Sequence, residues 1–425
     1  MSFQCVKKYE DSYDKYVLLA TSGKVVLPDY LDKESKKLAE TIIKKNKFTA
    51  KSSEKISMTL VNKKKVIDFI IIGLGEKKKL DAKNIRQYLF DGLKNITGNV
   101  FLSFADKDLD DIDIIAEVVE HINYKFDKYL TKKKEEFLEV SYLTDKKVPK
   151  LIEGYELAKI SNIVKDLVNE QAEVLNPKEL ANRATKLGKE FGFDVEILDE
   201  KKAQKLGMNA YLGVARAAHH RPNVIVMRYK GDAKSKYTYG LVGKGLTYDT
   251  GGLSLKPTES MLTMRCDMGG AATMIGAMCS IAKMKLKKNV TCVVAACENS
   301  IGPNAYRPGD ILTAMNGKTI EVTNTDAEGR LTLADALTYI VREEKVNEVI
   351  DAATLTGAVM VALGEDVTGV FTNDDKMAKK VIEASENWNE YFWQMPMFDI
   401  FKKNLKSPYA DMQNTGVRWG GSTNA

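Results

Sequence analysis

Short runs rich in Val, Ile, Leu and Phe alternate with segments whose apolar residues recur at helical spacing. In the first third, Lys15–Ala20, Ile56–Val61, Val66–Leu74 and Asn99–Phe104 read as strands, and Asp32–Lys45, Asp81–Leu93 and Asp111–Ile122 as helices. This predicts an α/β domain over residues 1–155. A helical stretch from Tyr155 to Val174 leads into a second domain, residues 156–425. There, strands are expected at 223–228, 237–242, 290–296, 319–323, 347–352 and 367–372, separated by helices, notably 268–284 and 331–344. The fold class is therefore α/β, with two α/β domains, the C-terminal one a mostly parallel sheet with helices on both faces. Gly73-Leu-Gly75 follows a strand but lacks the third glycine of a dinucleotide fingerprint.

Composition narrows the class. The chain has 425 residues, 44% of them hydrophobic and 29% charged, as in soluble globular proteins. The longest apolar run, Val66–Leu74, is too short to cross a membrane, and Met1–Lys8 shows no apolar leader pattern, so a cytoplasmic location is expected. Five cysteines without paired spacing suit reduced thiols. All of the net charge of +6 falls in residues 1–150, in runs such as Lys63–Lys65, Lys77–Lys79 and Lys132–Lys134. Aromatic interleaving of these runs is sparse, and lysine lacks arginine's bidentate reading of guanine, so they read as a solvated surface rather than a nucleic-acid face.

The densest chemistry lies at Asn324-Thr-Asp-Ala-Glu-Gly-Arg-Leu331. Asp326 and Glu328 stand between a strand-like run, Thr319–Val322, and an apolar-periodic helix from Leu331. Open α/β folds place their sites on such loops. On an extended loop both acids would point the same way, towards one cation. They equally suit a helix N-terminus, where Asp caps and Glu complements the dipole. A second cluster shifts the balance. After Tyr237–Val242 come Lys244, Asp249, a Gly-rich turn, Lys256 and then Asp267. Four carboxylates in one cleft repel, and divalent cations that accept hard oxygen ligands relieve the repulsion. Lys244 does not fit a phosphate loop, because Gly245 stands where Ser or Thr is needed.

The segments VGKGLTYDTGGLSLKP, MRCDMGGAA, NAYRPGDIL and NTDAEGRL together resemble the cytosolic leucyl aminopeptidase family of dinuclear metal exopeptidases. LVNEQAEVLNP (167–177), DAATLTGA (351–358) and KSPYADMQNTG (406–416) add to the resemblance, which covers the chain from about Leu167 onward. It implies a metal-dependent leucyl aminopeptidase that hydrolyses N-terminal residues, preferentially leucine or other apolar ones, by a two-metal-ion mechanism. Two divalent ions per subunit, Zn or Mn with Mg and Co as further candidates, would be held by Lys244, Asp249, Asp267, Asp326 and Glu328. Asp249 and Glu328 would serve both ions. Lys244 would have to be neutral, against a free pKa near 10.4. Lys256 would stay cationic and stabilise the oxyanion. Arg330 would hold a bicarbonate anion together with Ala327, Gly329 and Leu331 at the helix start. Met264, Thr354, Leu355 and Gly357 match positions lining the first-residue pocket. Peptides are the implied partners and a homo-hexamer the implied assembly.

The chain departs from the family in places. Gln171 stands where proline is usual, and Ala217–Pro222 is an unusual version of a Gly/Ser/Pro-rich loop. The family domain continues several tens of residues past Ala425, so the catalytic domain is expected to be C-terminally incomplete relative to the family. Two other classes compete. A two-metal phosphoesterase also uses carboxylate clusters, and a DNA-binding protein would use the lysine-rich N-terminal domain.

Overall fold

The computed structural model describes residues 2–10, 12–106, 111–133 and 136–417. The chain forms two compact units, Met1–Asn162 with Val381–Glu390, and Ile163–Lys380 with Tyr391–Ala425. None of the described helices is long and apolar enough to cross a membrane. Lys134 and the segment from Gly420 to Ala425 lie outside the described residues.

The first unit is built on β1 (Phe3–Val6), β2 (Lys15–Ala20), β3 (Lys55–Asn62), β4 (Lys65–Gly73), β5 (Gly98–Phe104) and β6 (Leu138–Leu143), in the order β1-β6-β5-β2-β4-β3. β3 runs antiparallel to β4; the other pairings are parallel. Tyr16 to Ala20 are buried, as a near-continuous apolar run requires of a central strand covered on both faces. The three expected helices form at Lys33–Lys45, Ala82–Leu93 and Ile112–Asn123. Asp32, Asp81 and Asp111 cap them, each accepting from an N–H three residues on. β1 and β6 escape sequence reading because Phe3–Val6 is short and Leu138–Leu143 is mixed in polarity. Gly73 serves close packing. A Cβ there would lie 2.1 Å from the Lys51 carbonyl oxygen, so the glycine admits the Ala50–Lys51 backbone rather than a nucleotide.

The second unit opens with β7 (Asp194–Leu198), β8 (Asn223–Lys230), β9 (Thr238–Asp249) and β10 (Asn289–Asn299). The short β11 (Ile311–Thr313) and β12 (Thr319–Glu321) follow, then β13 (Glu348–Ala352), β14 (Val367–Val370), β15 (Tyr391–Gln394) and β16 (Met412–Gln413). The central sheet has the order β13-β9-β10-β8-β7. β9 is parallel to β10 and β13, while β8 is antiparallel to both its neighbours. Side chains alternate along β9. Val242 and Leu246 join the core that includes Leu331 and Ala336, whereas Gly243 faces Ala271 on the opposite side. Helices thus cover both faces, with Gly329–Arg342 on one and Gly269–Lys283 on the other. The runs at 319–323 and 367–372 do become strands, but outside the central sheet. β12 pairs with β11 and β16, and β14 pairs with β15. An apolar run of three or four residues does not specify its partner.

Asp335, fully buried on the 329–342 helix, ties this layer together. Its carboxylate accepts from the N–H groups of Tyr211 (2.9 Å) and Met315 (2.7 Å). Burial raises its pKa to about 6. The folded value exceeds the unfolded one, near 3.9, so the contribution to stability is full below the unfolded value and lost as pH rises through about 6. Asp335→Ala removes the acceptor of two amides, one of them buried, and is expected to cost about 2–4 kcal/mol. The loss, read from urea unfolding, should be larger at pH 5 than at pH 7. Equal losses at both pH values would show that ionisation of Asp335 does not contribute.

Candidate active site

β9 carries Lys244 along its length and ends on Asp249. The turn after it uses Gly251 and Gly252 in the left-handed region, at φ +84° and +63°, and brings Lys256 back towards the strand end. A turn of 3-10 helix, Met264–Cys266, then delivers Asp267 ahead of the 269–283 helix. Asp326 and Glu328 come from the loop between β12 and the 329–342 helix.

All six groups meet. Lys244 Nζ lies 2.8 Å from Asp267 Oδ1 and 3.0 Å from Glu328 Oε1, and donates to the Thr354 carbonyl at 2.9 Å. Lys256 Nζ lies 2.9 Å from Asp249 Oδ2 and 2.5 Å from Asp326 Oδ1. One carboxylate oxygen from each of Asp249, Asp326 and Glu328 falls within 4.8 Å of the others. A Cβ on Gly329 would sit 2.5 Å from Lys244 Cε, so a side chain there would push the lysine off its present path to the cluster. The acids converge differently from the extended loop expected. Residues 325 and 326 form a turn, and Glu328 has helical backbone (φ −82°, ψ −34°). Glu328 makes no side-chain capping bond, so the plain N-cap reading does not apply.

Four carboxylates here face two ammonium groups. Burial pulls the Lys244 pKa down, but Glu328 and Asp267 outweigh it and hold the ammonium above the usual lysine range. Lys256 is raised in the same way, against burial, by Asp249 and Asp326. Burial pushes Asp267, Asp326 and Glu328 above the usual carboxylate range. Asp267 Oδ2 and Glu328 Oε2 are buried without a hydrogen-bond partner. Orphaned acceptors of this kind cost about 1–3 kcal/mol each, and a cation would satisfy them. A donor set of hard oxygens and one amine suits Mg, Mn or Zn. His220 is paired elsewhere: its Nδ1 lies 2.9 Å from Glu298 Oε1.

Around this centre, Arg330 Nη1 donates to the Asn414 carbonyl at 2.8 Å, while its buried Nε has no hydrogen-bond partner. Burial lowers its pKa. The N–H groups of Ala327 and Leu331 are taken by the carbonyls of Asn324 and Glu328. Those of Gly329 and Arg330 open the helix, where no intrahelical acceptor exists. Thr354 Oγ1 donates to Asp267 Oδ1 at 2.8 Å. Leu355 packs against the core of the second unit, Gly357 opens the short 357–363 helix, and Met264 is half-buried in the turn before Asp267. Sequence reading did not single out Asn299 and Asn414, both buried. The Asn414 side chain accepts from the N–H of Thr323 (2.8 Å) and donates to the carbonyls of Asn324 (2.7 Å) and Ala327 (3.2 Å), stapling the acidic loop. Its place in KSPYADMQNTG was the available signal. Asn299 ends a run that reads only as apolar strand.

Residues 162–425 match the cytosol aminopeptidase family, catalytic domain, and residues 17–133 match that family's N-terminal domain. The chain is 92% identical over 425 residues to a probable cytosol aminopeptidase of Fusobacterium nucleatum subsp. nucleatum, covering 100% of this chain and 89% of the relative. A probable cytosol aminopeptidase of Clostridium perfringens is 41% identical over 400 residues, 90% of this chain and 81% of the relative. Among solved structures, a mutant tomato leucine aminopeptidase aligns with a TM-score of 0.84 at 32% identity, over 99% of this chain and 86% of that one. The bottromycin maturation enzyme BotP in complex with Mn aligns with a TM-score of 0.84 at 28% identity, over 96% and 88%. The site geometry, the two domain matches and the near-identical relative lead to one conclusion: this chain belongs to the cytosol aminopeptidase family.

Proposed function

We propose that the protein is a two-metal aminopeptidase that removes leucine and other apolar residues from the N-termini of peptides. The observation that carries this reading is the cluster of four carboxylates and two lysines, of which Lys244, Asp249, Asp267 and Glu328 are buried, with unsatisfied oxygens on Asp267 and Glu328. Asp249, Asp267, Asp326, Glu328 and Lys244 would hold two divalent ions. When bound, such ions supply polarisation of the scissile carbonyl and acidification of water. The manganese in the BotP complex supports Mn as one occupant, and the tomato enzyme's name supports leucine as a first residue. Membership in a peptidase family weighs against the phosphoesterase and DNA-binding alternatives.

The protein's own groups divide the remaining work. To act as a ligand, Lys244 gives up the proton it now shares in ion pairs with Asp267 and Glu328. Lys256 keeps its charge and turns towards the substrate carbonyl, where it stabilises the developing oxyanion. Arg330, with its unpartnered Nε, and the first-turn amides beside it would hold bicarbonate, with Ala327, Gly329 and Leu331 forming the cradle. Met264, Thr354, Leu355 and Gly357 would line the first-residue pocket. Because Thr354 also bonds Asp267, substrate wall and ligand are mechanically joined. In this reading residues 1–155 form the N-terminal domain and 156–425 the catalytic one, in a cytoplasmic homo-hexamer.

Chelation should abolish hydrolysis of leucyl amides, and Mn or Zn should restore it. Asp249→Ala and Glu328→Ala should lose the most metal, measured by elemental analysis of purified protein. Full activity in thoroughly demetallated protein would sink the proposal. Lys256→Ala should lower kcat by about 10²–10³ with metal content unchanged. Arg330→Ala should cost less, with partial rescue by added bicarbonate. Wild-type kcat in both variants would show that these two roles are misassigned.

A further inference from the structure

Asn299 stands at the end of β10, fully buried, with its amide aimed into the site. Its Nδ2 donates to Asp249 Oδ1 at 2.8 Å and to the Thr325 carbonyl at 3.0 Å. Both partners only accept, so the amide orientation is determined: the flipped form would set oxygen against oxygen. Asn299 Oδ1 is left buried without a partner. A buried amide kept half-satisfied is a cost that packing alone does not justify. Asp249 Oδ1 also accepts from the Gly251 N–H at 2.9 Å, which fills that oxygen's two lone-pair positions. Oδ2, 2.9 Å from Lys256 Nζ, is the oxygen left for a cation.

We infer that Asn299 is a positioning residue. It locks the Asp249 carboxylate so that Oδ2 alone faces the cation site, and it ties that carboxylate to the loop carrying Asp326 through Thr325. The inference rests on the two-metal reading above. Serine and threonine carry one proton rather than two, and glutamine is a methylene too long, so asparagine fits both acceptors at this distance.

The test is Mn binding to the demetallated full-length protein, by competition with a chromogenic chelator. Asn299→Ala should bind Mn about 10- to 100-fold more weakly than wild type. Its kcat should recover as Mn is raised, and its rise in Tm on adding Mn should shrink, whatever its metal-free Tm. If Asn299→Ala fails to fold, Asn299→Ser, which leaves a smaller cavity and cannot reach Asp249, should show the same weakening. Mn affinity within two-fold of wild type in the folded variant overturns the inference alone. Wild-type protein that binds no Mn overturns the two-metal reading, and this inference with it.

Discussion

Everything at the site follows from one electrostatic constraint: four carboxylates share a cleft with only two ammonium groups to answer them. Two like charges about 4 Å apart repel by about 4 kcal/mol even at an effective dielectric of about 20. Lys244 and Lys256 each bridge a pair of acids and so divide the cluster into two smaller problems. Burial still drives Asp267, Asp326 and Glu328 above their ordinary pKa values, and the remaining deficit is negative. Buried ion clusters of this kind contribute little to folding and often oppose it. Their retention is understandable when the missing positive charge arrives with a ligand.

Holding such a cluster open needs a scaffold that does not relax around it. The parallel strands β9, β10 and β13 bring their carboxyl ends to one edge, and the loop after β12 that supplies Asp326 and Glu328 is held by side chains. Asn414 grips the backbone from Thr323 to Ala327 and presents its own carbonyl to Arg330. Tyr306, buried below, donates to the Thr325 carbonyl at 2.6 Å. Gly329 completes the arrangement by leaving room for the Lys244 stem. Polar groups with satisfied partners make these loops specific in shape, which positions charges more closely than apolar packing could.

The sequence and the structure divide the explanation unevenly. The helices opened by Asp32, Asp81 and Asp111, and the buried runs of β2, β4, β9 and β10, were legible because capping and periodicity are local properties. The six charged groups were legible because each lies in a long motif, and the structure brings all six together. β1, β6 and β7 were not legible, since short or mixed runs give no periodic signal. β12 and β14 were seen as strands but not as members of small separate sheets.

By itself, then, the sequence determined which residues carry the charge, the capped helices of the first unit and the long apolar strands, and the α/β class, because local propensity and hydrophobic spacing depend on near neighbours. Tertiary structure alone decided which acid meets which lysine, that Glu328 stands in helical backbone without acting as a cap, and that Asn299 and Asn414 brace the acidic loop. Those outcomes depend on contacts between residues 20 to over 100 positions apart, such as Lys244 with Asp267 and Thr354. No local pattern encodes them, since burial and the distance between charges exist only once the chain has closed on itself.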